Sequence, residues 1–349
     1  MKALILIGGF GTRLRPLTCT RPKALFPIVN KPLLQITFER LAENGVDEVI
    51  LAVNKLTQFH IRQQHLPKYG LTVKYSLDPP KIPLGTAGPI KKAEKLLGHD
   101  DPFLVLNGDL ITEINYKEML ATHAEGKAVA TIALHEAEDP SRYGVAELAD
   151  ENRIKRFIEK PPKGTEPTKL INAGVYVLSP KIFNYIPSGR AVSMEREVFP
   201  RLAEENVLYG HKVSGLWIDI GKPEDYLQTN KMLLETCADK QRKNPRFECR
   251  NPVALGKGVV IGENSVIGPC AVLGKNVTVG KNVQIRDSVV FEDVKIGDDA
   301  VICGALIGEA AQIGKKAKVT EGCIIADHVK VKDGVLLREK VSVCPAKEV

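Results

Sequence analysis

Ala3-Leu4-Ile5-Leu6-Ile7 runs directly into Gly8-Gly9-Phe10-Gly11-Thr12-Arg13-Leu14-Arg15-Pro16-Leu17-Thr18, and the fold is read outward from this junction. A short apolar run rich in Ile and Leu between polar flanks is the pattern of a fully buried strand. Glycines placed directly after it let the backbone approach a ligand closely and turn N–H groups toward it. Those groups suit an anion, and Arg13, Arg15 and Lys23 add cationic donors. A tight turn would also ask for glycine, so the glycines alone leave both readings open. The stretch is not a dinucleotide fingerprint, because no third glycine follows Gly11-Thr12-Arg13-Leu14, and it is not a Walker A loop, because no Gly-Lys-Ser/Thr occurs in it.

Downstream, Asn30-Lys31-Pro32 precedes Leu33, Leu34, Phe38, Leu41 and Ala42, and Gly45 follows, which predicts a helix with proline in its first turn. Residues 47–53 and 71–75 predict strands, with a helix over 57–65 between them. Pro83-Leu84-Gly85-Thr86-Ala87-Gly88 leads into a helix through Ala93 and Leu97, and Phe103-Leu104-Val105-Leu106 is a further buried strand ending in Asn107-Gly108-Asp109. Strand and helix alternating at this pitch predict a doubly wound α/β sheet, with ligands at the carboxyl ends of its strands. The opening loop, the Gly85 loop and Asp109 all fall at such ends. From Val129 the rhythm changes to strands with few helices between, around 131–134, 144–148, 154–159, 170–178 and 207–213. A helix over 195–205 and a last helix opened by Pro223 complete this part. The sheet is therefore expected to be mixed.

Residues 237–250 are polar and charged and read as a linker between a first domain, 1–236, and a second, 251–349. The second is periodic. Leu255, Ile261, Ile267, Leu273, Val279 and Ile285 stand six residues apart, and Phe291 holds the place once more. A one-residue slip resets the phase to Ile296 and Ile302, and another to Ile307, Ile313, Val319, Ile325, Val331 and Leu337. Such hexapeptide repeats form parallel β-helices. The fit is to the left-handed triangular type, with three hexads per coil and about four to five coils.

The chain has 349 residues, 44% hydrophobic and 26% charged, with a net charge of +7. These are values of an ordinary globular protein. Its basic residues are scattered and rarely interleaved with aromatics, which argues against a nucleic-acid surface. Seven dispersed cysteines without a CxxC pair argue against a disulfide framework or zinc site, and for a reducing cytoplasm. No apolar run approaches a membrane span, and the N-terminal apolar run is too short for a signal peptide.

The loop taken together with Pro22-Lys23 resembles the signature of the sugar-1-phosphate nucleotidylyltransferases, the NDP-sugar pyrophosphorylases. That resemblance implies a Rossmann-like nucleotidyltransferase domain. Gly8, Gly9, Gly11, Thr12, Arg13 and Lys23 would then hold the triphosphate of an NTP, Arg13 would meet the departing pyrophosphate, and Gly85 and Thr86 would lie on the base. Asp109 would serve the nucleotide and, with Asp219, bind Mg²⁺. Glu159 would bond the sugar hydroxyls, Lys160 would bind the sugar phosphate, and Gly144 and Asn172 would complete the sugar contacts. Arg13, Lys23 and Lys160 are the expected catalytic cations. The residue inventory suits this chemistry: a sugar phosphate is already anionic at neutral pH, so no general base is needed, and positioning and charge neutralisation do the rest. Mg²⁺ takes one or two carboxylates together with phosphate oxygens.

Local sequence alone also permits plainer readings. Asp109 could be an ordinary turn residue, Glu159-Lys160 a strand-end ion pair, Gly144 a bulge and Asn172 a buried amide. Asp219, flanked by Ile218 and Ile220, needs either a base or a metal. Within the family the order of motifs favours GTP and mannose 1-phosphate as substrates; UTP- or ADP-forming enzymes acting on glucose 1-phosphate, and a non-catalytic NDP-sugar-binding subunit, are the alternatives. An acyltransferase site in the repeats would have His328 alone to draw on, so the β-helix is expected to mediate homo-oligomerisation or regulation.

Overall fold

The computed structural model describes every residue except 10, 80–83, 151 and 238–244. The chain forms two compact units that do not follow its order. Met1–Gly9 and Leu34–Ile218 make the first, and Phe10–Leu33 and Asp219–Val349 make the second.

The first unit is built on a nine-stranded mixed sheet. Its strands are β1 (Lys2–Leu6), β2 (Glu48–Val53), β3 (Thr72–Leu77), β4 (Phe103–Asn107), β5 (Ala130–Glu136), β6 (Gly144–Leu148), β7 (Ile154–Glu159), β8 (Leu170–Leu178) and β9 (Leu208–Lys212). The main path runs β7-β6-β8-β4-β1-β2-β3, and β5 pairs with both β8 and β9. β1 is flanked by β4 and β2, both parallel to it, so the chain winds outward to β3 and then returns to the other side of β1. That reversal is a topological switch point, where open α/β sheets carry their ligand crevice. The apolar run predicted β1 correctly, and Ala3, Leu4 and Ile5 are fully buried. β8 runs antiparallel to β4, β5 and β6, which supplies the expected change of rhythm.

Helices α1 (Leu33–Glu43) and α2 (Lys55–Gln63) stand close to their expected places, and α3 (Tyr116–Glu125) is a helix for which the sequence reading had no expectation. Asn54 caps α2 by accepting from the Thr57 N–H at 2.8 Å. The helix expected over 195–205 is instead a π-helical turn, Met194–Val198, running into a short α-helix, Phe199–Glu204. Ser193 opens it, its side chain accepting from the Arg196 N–H at 3.2 Å.

In the second unit the repeats form a parallel β-helix with three faces of six, six and five strands. That gives between five and six coils, more than the four to five expected. The first coil starts at Glu248–Cys249, which pairs with Val266–Ile267. The expected linker at 237–250 thus ends in a strand; it begins at Cys237, the last residue of helix α4 (Pro223–Cys237), and its middle lies outside the described residues.

The ladder register corrects the phase of the repeats. Leu255 pairs with Leu273 and Leu273 with Val290, so the residue facing inward is Val290 and the five-residue step lies between Ile285 and Val290. The second short step lies between Ile302 and Ile307, as expected. Phe291 is also buried, but it packs outside the coil, edge-on to Phe26 at 5.8 Å and to Tyr226 at 6.3 Å. Each hexad also sends a second residue inward two positions earlier: Val277 with Val279, Val283 with Ile285, Ala305 with Ile307. Asn276, Asn282, Asp293 and Asp299 turn corners with φ of 56–59°, a left-handed conformation that Asn and Asp tolerate well. Their side chains continue the stacking, Asn276 donating to Asp293 and Asn282 to Asp299, each at 3.0 Å.

Candidate active site

In the first unit the switch point lays the end of β1 beside the end of β4, Leu6 pairing with Asn107. The Gly108 N–H donates to the Leu6 carbonyl at 3.0 Å, which seats the end of β4 against the end of β1. Beyond β3, Asp78 donates its N–H to the Val53 carbonyl at 2.8 Å and turns its carboxyl to Gly8. A Cβ on Gly8 would stand 2.5 Å from Asp78 Oδ2. Asp78 Oδ1 is buried and, among the described residues, has no hydrogen-bond partner. Burial pushes this carboxyl above its ordinary range, and Lys92 acts in the opposite direction. Nothing in the sequence marks out Asp78 beyond its place after a strand.

The Gly85 loop is held by its own unit. Gly85 adopts φ +69°, and a Cβ there would stand 2.2 Å from the Val192 carbonyl oxygen, so no other residue fits. The Thr86 hydroxyl donates to Glu195 Oε2 at 2.6 Å and accepts from the Met194 N–H at 2.9 Å. Ser193 Oγ donates to the same carboxylate oxygen at 2.7 Å. Glu195 is thus the acceptor that ties residues 84–88 to residues 192–194.

Gly144 and Glu159 are register partners in the β6–β7 pair. A Cβ on Gly144 would stand 2.4 Å from Phe157 Cζ and 2.9 Å from Glu159 Oε2. Glu159 is raised above the ordinary carboxylate range, first by burial and then by Glu195, while Lys160 draws it down. Lys160, at φ +49°, donates its N–H to the Tyr143 carbonyl at 3.1 Å, and its Nζ lies 3.7 Å from Glu159 Oε1. Its ammonium end is largely solvent-exposed and the carboxylate is not.

Asn172 sits where β8 bulges against β5. Its Oδ1 accepts from the Gly174 N–H at 2.8 Å and its Nδ2 donates to the Tyr176 hydroxyl at 3.0 Å. Tyr176 is fully buried, and its hydroxyl is held far above the usual range by burial and by the charges of Glu195, Glu159 and Asp109. Trp217 stacks on His135 at 5.2 Å, meets Tyr143 edge-on at 5.5 Å and donates its indole N–H to the Ala173 carbonyl at 2.9 Å. These contacts fix the approach to Gly144 and Asn172. Gly8, Gly9, Gly85, Thr86, Asp109, Gly144, Glu159, Lys160 and Asn172 all belong to this unit.

Gly11, Thr12, Arg13, Lys23 and Asp219 belong to the second unit. After Gly11 the segment forms three successive 3-10 turns, Thr12–Leu14, Leu17–Cys19 and Lys23–Leu25. Gly11 opens the first in the left-handed region at φ +56°, and Thr18 Oγ1 donates to its carbonyl at 2.8 Å. Arg13 comes to the turn after Asp219: a Cβ on Gly221 would stand 3.3 Å from Arg13 Nη1 and 3.3 Å from Asp225 Oδ2. The Gly221 N–H donates to the Asp219 carbonyl at 3.0 Å. His328 is exposed at a left-handed corner of the β-helix, and among the described residues no group of three or more His, Cys, Asp and Glu side chains is arranged to hold a metal.

The nucleotidyl transferase family model matches residues 2–236. The chain belongs to the nucleotidyl transferase family. Its C-terminal part, residues 249–349, matches the GMPPB C-terminal domain. The mannose-1-phosphate guanylyltransferase catalytic subunit beta of Danio rerio is 42% identical over 71% of this chain and 69% of its own length. The mannose-1-phosphate guanyltransferase of Yarrowia lipolytica is 41% identical over 70% of this chain and 66% of its own. The chain thus spans about two thirds of the length of these relatives. A UDP-glucose pyrophosphorylase of Acinetobacter baumannii shares the fold at TM-score 0.58 and 20% identity, over 66% of this chain and 92% of that one. No helix among the described residues is long and apolar enough to cross a membrane.

Proposed function

We propose that this nucleotidyl transferase joins GTP and mannose 1-phosphate to GDP-mannose with release of pyrophosphate. The observation that carries the choice of base is Asp78: a buried carboxyl oxygen without a partner among the described residues, against the first glycine after β1. Guanine presents an N1–H and an N2 amine, and a carboxylate accepts from both, whereas uracil and adenine present a different edge. The two mannose-1-phosphate guanylyltransferases at 41% and 42% identity point the same way.

In this reading a sugar phosphate oxygen attacks the α-phosphorus. A new P–O bond forms, the bond to the bridging oxygen breaks, and its electron pair leaves with pyrophosphate. No proton changes hands. Gly8, Gly9, Gly11 and Thr12 offer backbone donors to the triphosphate, and Arg13 and Lys23 neutralise the leaving group. Lys160 meets the sugar phosphate with its exposed ammonium. Glu159 accepts from sugar hydroxyls, while Gly144 keeps that carboxylate accessible. Asn172 spends its side chain on Gly174 and Tyr176, so it shapes the sugar site through the bulge. Asp109 and Asp219, hard oxygen donors at strand ends, fit Mg²⁺, which when bound would screen the crowded phosphate charge. A reducing cytoplasm suits the six described cysteines, none of which is in a disulfide among the described residues, and the β-helix is proposed to mediate homo-oligomerisation.

The test is pyrophosphate release with Mg²⁺, each NTP in turn and a panel of sugar 1-phosphates. GTP with mannose 1-phosphate is expected to be the fastest pair. Release with UTP and glucose 1-phosphate alone would overturn the choice of substrate, and no release with any pair would overturn the reaction.

A further inference from the structure

Arg21 lies between the two loop cations assigned above, Arg13 and Lys23, yet it points away from solvent and is only 8% exposed. Its guanidinium bonds the carboxylates of Glu292, at 3.1 Å, and Glu309, both on the β-helix. It also lies over the Phe291 ring, 5.3 Å from its centre. Its neighbour Thr20 donates to Asp327 Oδ2 at 2.7 Å, and the other oxygen of Asp327 accepts from the Glu309 N–H at 2.7 Å. Asp327 is itself buried. Thr20, Arg21, Glu292, Glu309 and Asp327 therefore form one connected latch inside the second unit.

The latch is flanked by apolar and backbone contacts of the same segment. Phe26 meets Tyr226 edge-on at 5.5 Å, and the Tyr226 hydroxyl donates to the Pro27 carbonyl. The Val29 N–H donates to Asn230 Oδ1 at 2.9 Å, and Asn30 Nδ2 donates to the Leu273 carbonyl at 3.0 Å. These contacts would hold the segment down without any charge. A buried ion pair adds little net stability over an apolar pair, because desolvation offsets its attraction. What a planar guanidinium shared by two carboxylates adds is direction and register. It stands two residues before Lys23, with one 3-10 turn separating it from Arg13.

We infer that Arg21 is a positioning residue for nucleotidyl transfer: held by Glu292 and Glu309 of the β-helix, it sets the register in which Arg13 and Lys23 face the triphosphate. This rests on the role proposed above for that loop. It also gives the β-helix a part in turnover separate from assembly.

The test is steady-state kinetics on the full-length chain with Arg21→Ala, Arg21→Lys, Glu309→Gln and the Arg21→Ala/Glu309→Gln pair, each checked for folding. Misplacing catalytic groups by an ångström costs up to about a hundredfold. Arg21→Ala should therefore lower kcat about ten- to a hundredfold while KM for the sugar phosphate stays within about twofold. Arg21→Lys should recover part of the loss, and the double variant should be no worse than Arg21→Ala, because the two residues act as one unit. Folded Arg21→Ala with unchanged kcat and unchanged KM for the NTP would overturn the inference. If Arg21→Ala does not fold, wild-type kcat in both Arg21→Lys and Glu309→Gln overturns it. If the wild type turns over no substrate pair, the proposed function fails first, and amide hydrogen exchange over residues 11–25 then decides. Faster exchange in Glu309→Gln than in the wild type supports the latch, and equal exchange overturns it.

Discussion

Gly144 lies so close to Glu159 that a methyl group on it would stand 2.9 Å from the carboxylate, and 2.4 Å from the Phe157 ring. The ring cannot retreat, because Phe157 is buried and meets Phe199 edge-on at 5.3 Å. Gly144→Ala should therefore displace Glu159. KM for the sugar phosphate is expected to rise about tenfold, roughly 1.4 kcal/mol of lost binding, with KM for the NTP little changed. Equal changes in both constants would place Gly144 outside the sugar site.

Asp78→Asn keeps the shape of the side chain and replaces one acceptor oxygen by an amine donor. It should weaken GTP by about ten- to a hundredfold in kcat/KM, since a site left with an unpaired polar group rejects its substrate strongly. Measured against ATP and UTP in parallel, the preference for GTP should narrow. An unchanged ratio would remove Asp78 from base recognition.

Thr86→Val removes the hydroxyl that links the Met194 N–H to the Glu195 carboxylate. Urea unfolding should show a loss of about 1–3 kcal/mol, the cost of orphaning a partly buried acceptor and donor. Because the same turn carries Gly85, KM for the NTP should rise as well. A variant with wild-type stability would show that Ser193 alone satisfies Glu195.

His123 is buried, with Nδ1 2.9 Å from Thr131 Oγ1, and burial lowers its pKa from 6.5 to about 4. Between those values the unfolded chain binds a proton that the folded chain refuses. This contribution to stability is complete above pH ~6.5 and is lost as the pH falls toward ~4, amounting to on the order of 3 kcal/mol. In His123→Asn, which cannot titrate, the acid limb of stability against pH should flatten over that interval; an unaltered limb would assign acid sensitivity to other groups.

The sheet was legible because its signal is local. Ala3 to Ile7 and Phe103 to Leu106 are apolar at every position, as strands covered on both faces must be. At Gly85 and Gly144, which the sequence singled out, the backbone of Val192 and the ring of Phe157 supply physical reasons for glycine that neighbouring residues in the chain could not. The phase of the repeats failed at Phe291 because a large apolar residue satisfies burial on either side of a thin wall, and only the ladder distinguishes it from Val290. Asp78, Glu195 and Arg21 were missed for a common cause. Each is an ordinary polar residue until a segment distant in sequence is laid against it, and no periodicity reports that.

The interleaving of the two units also constrains how the chain can be made. Thr20 and its acceptor Asp327 are 307 residues apart. At ~5–20 residues per second, the ribosome leaves the loop segment without its partners for roughly 15–60 s. Until helix α4 is made, Phe26 lacks the Tyr226 ring that it meets in its own unit, whereas β1 to β4 are already available to pair. The Thr20–Asp327 part of the second unit therefore closes only when the last coils emerge.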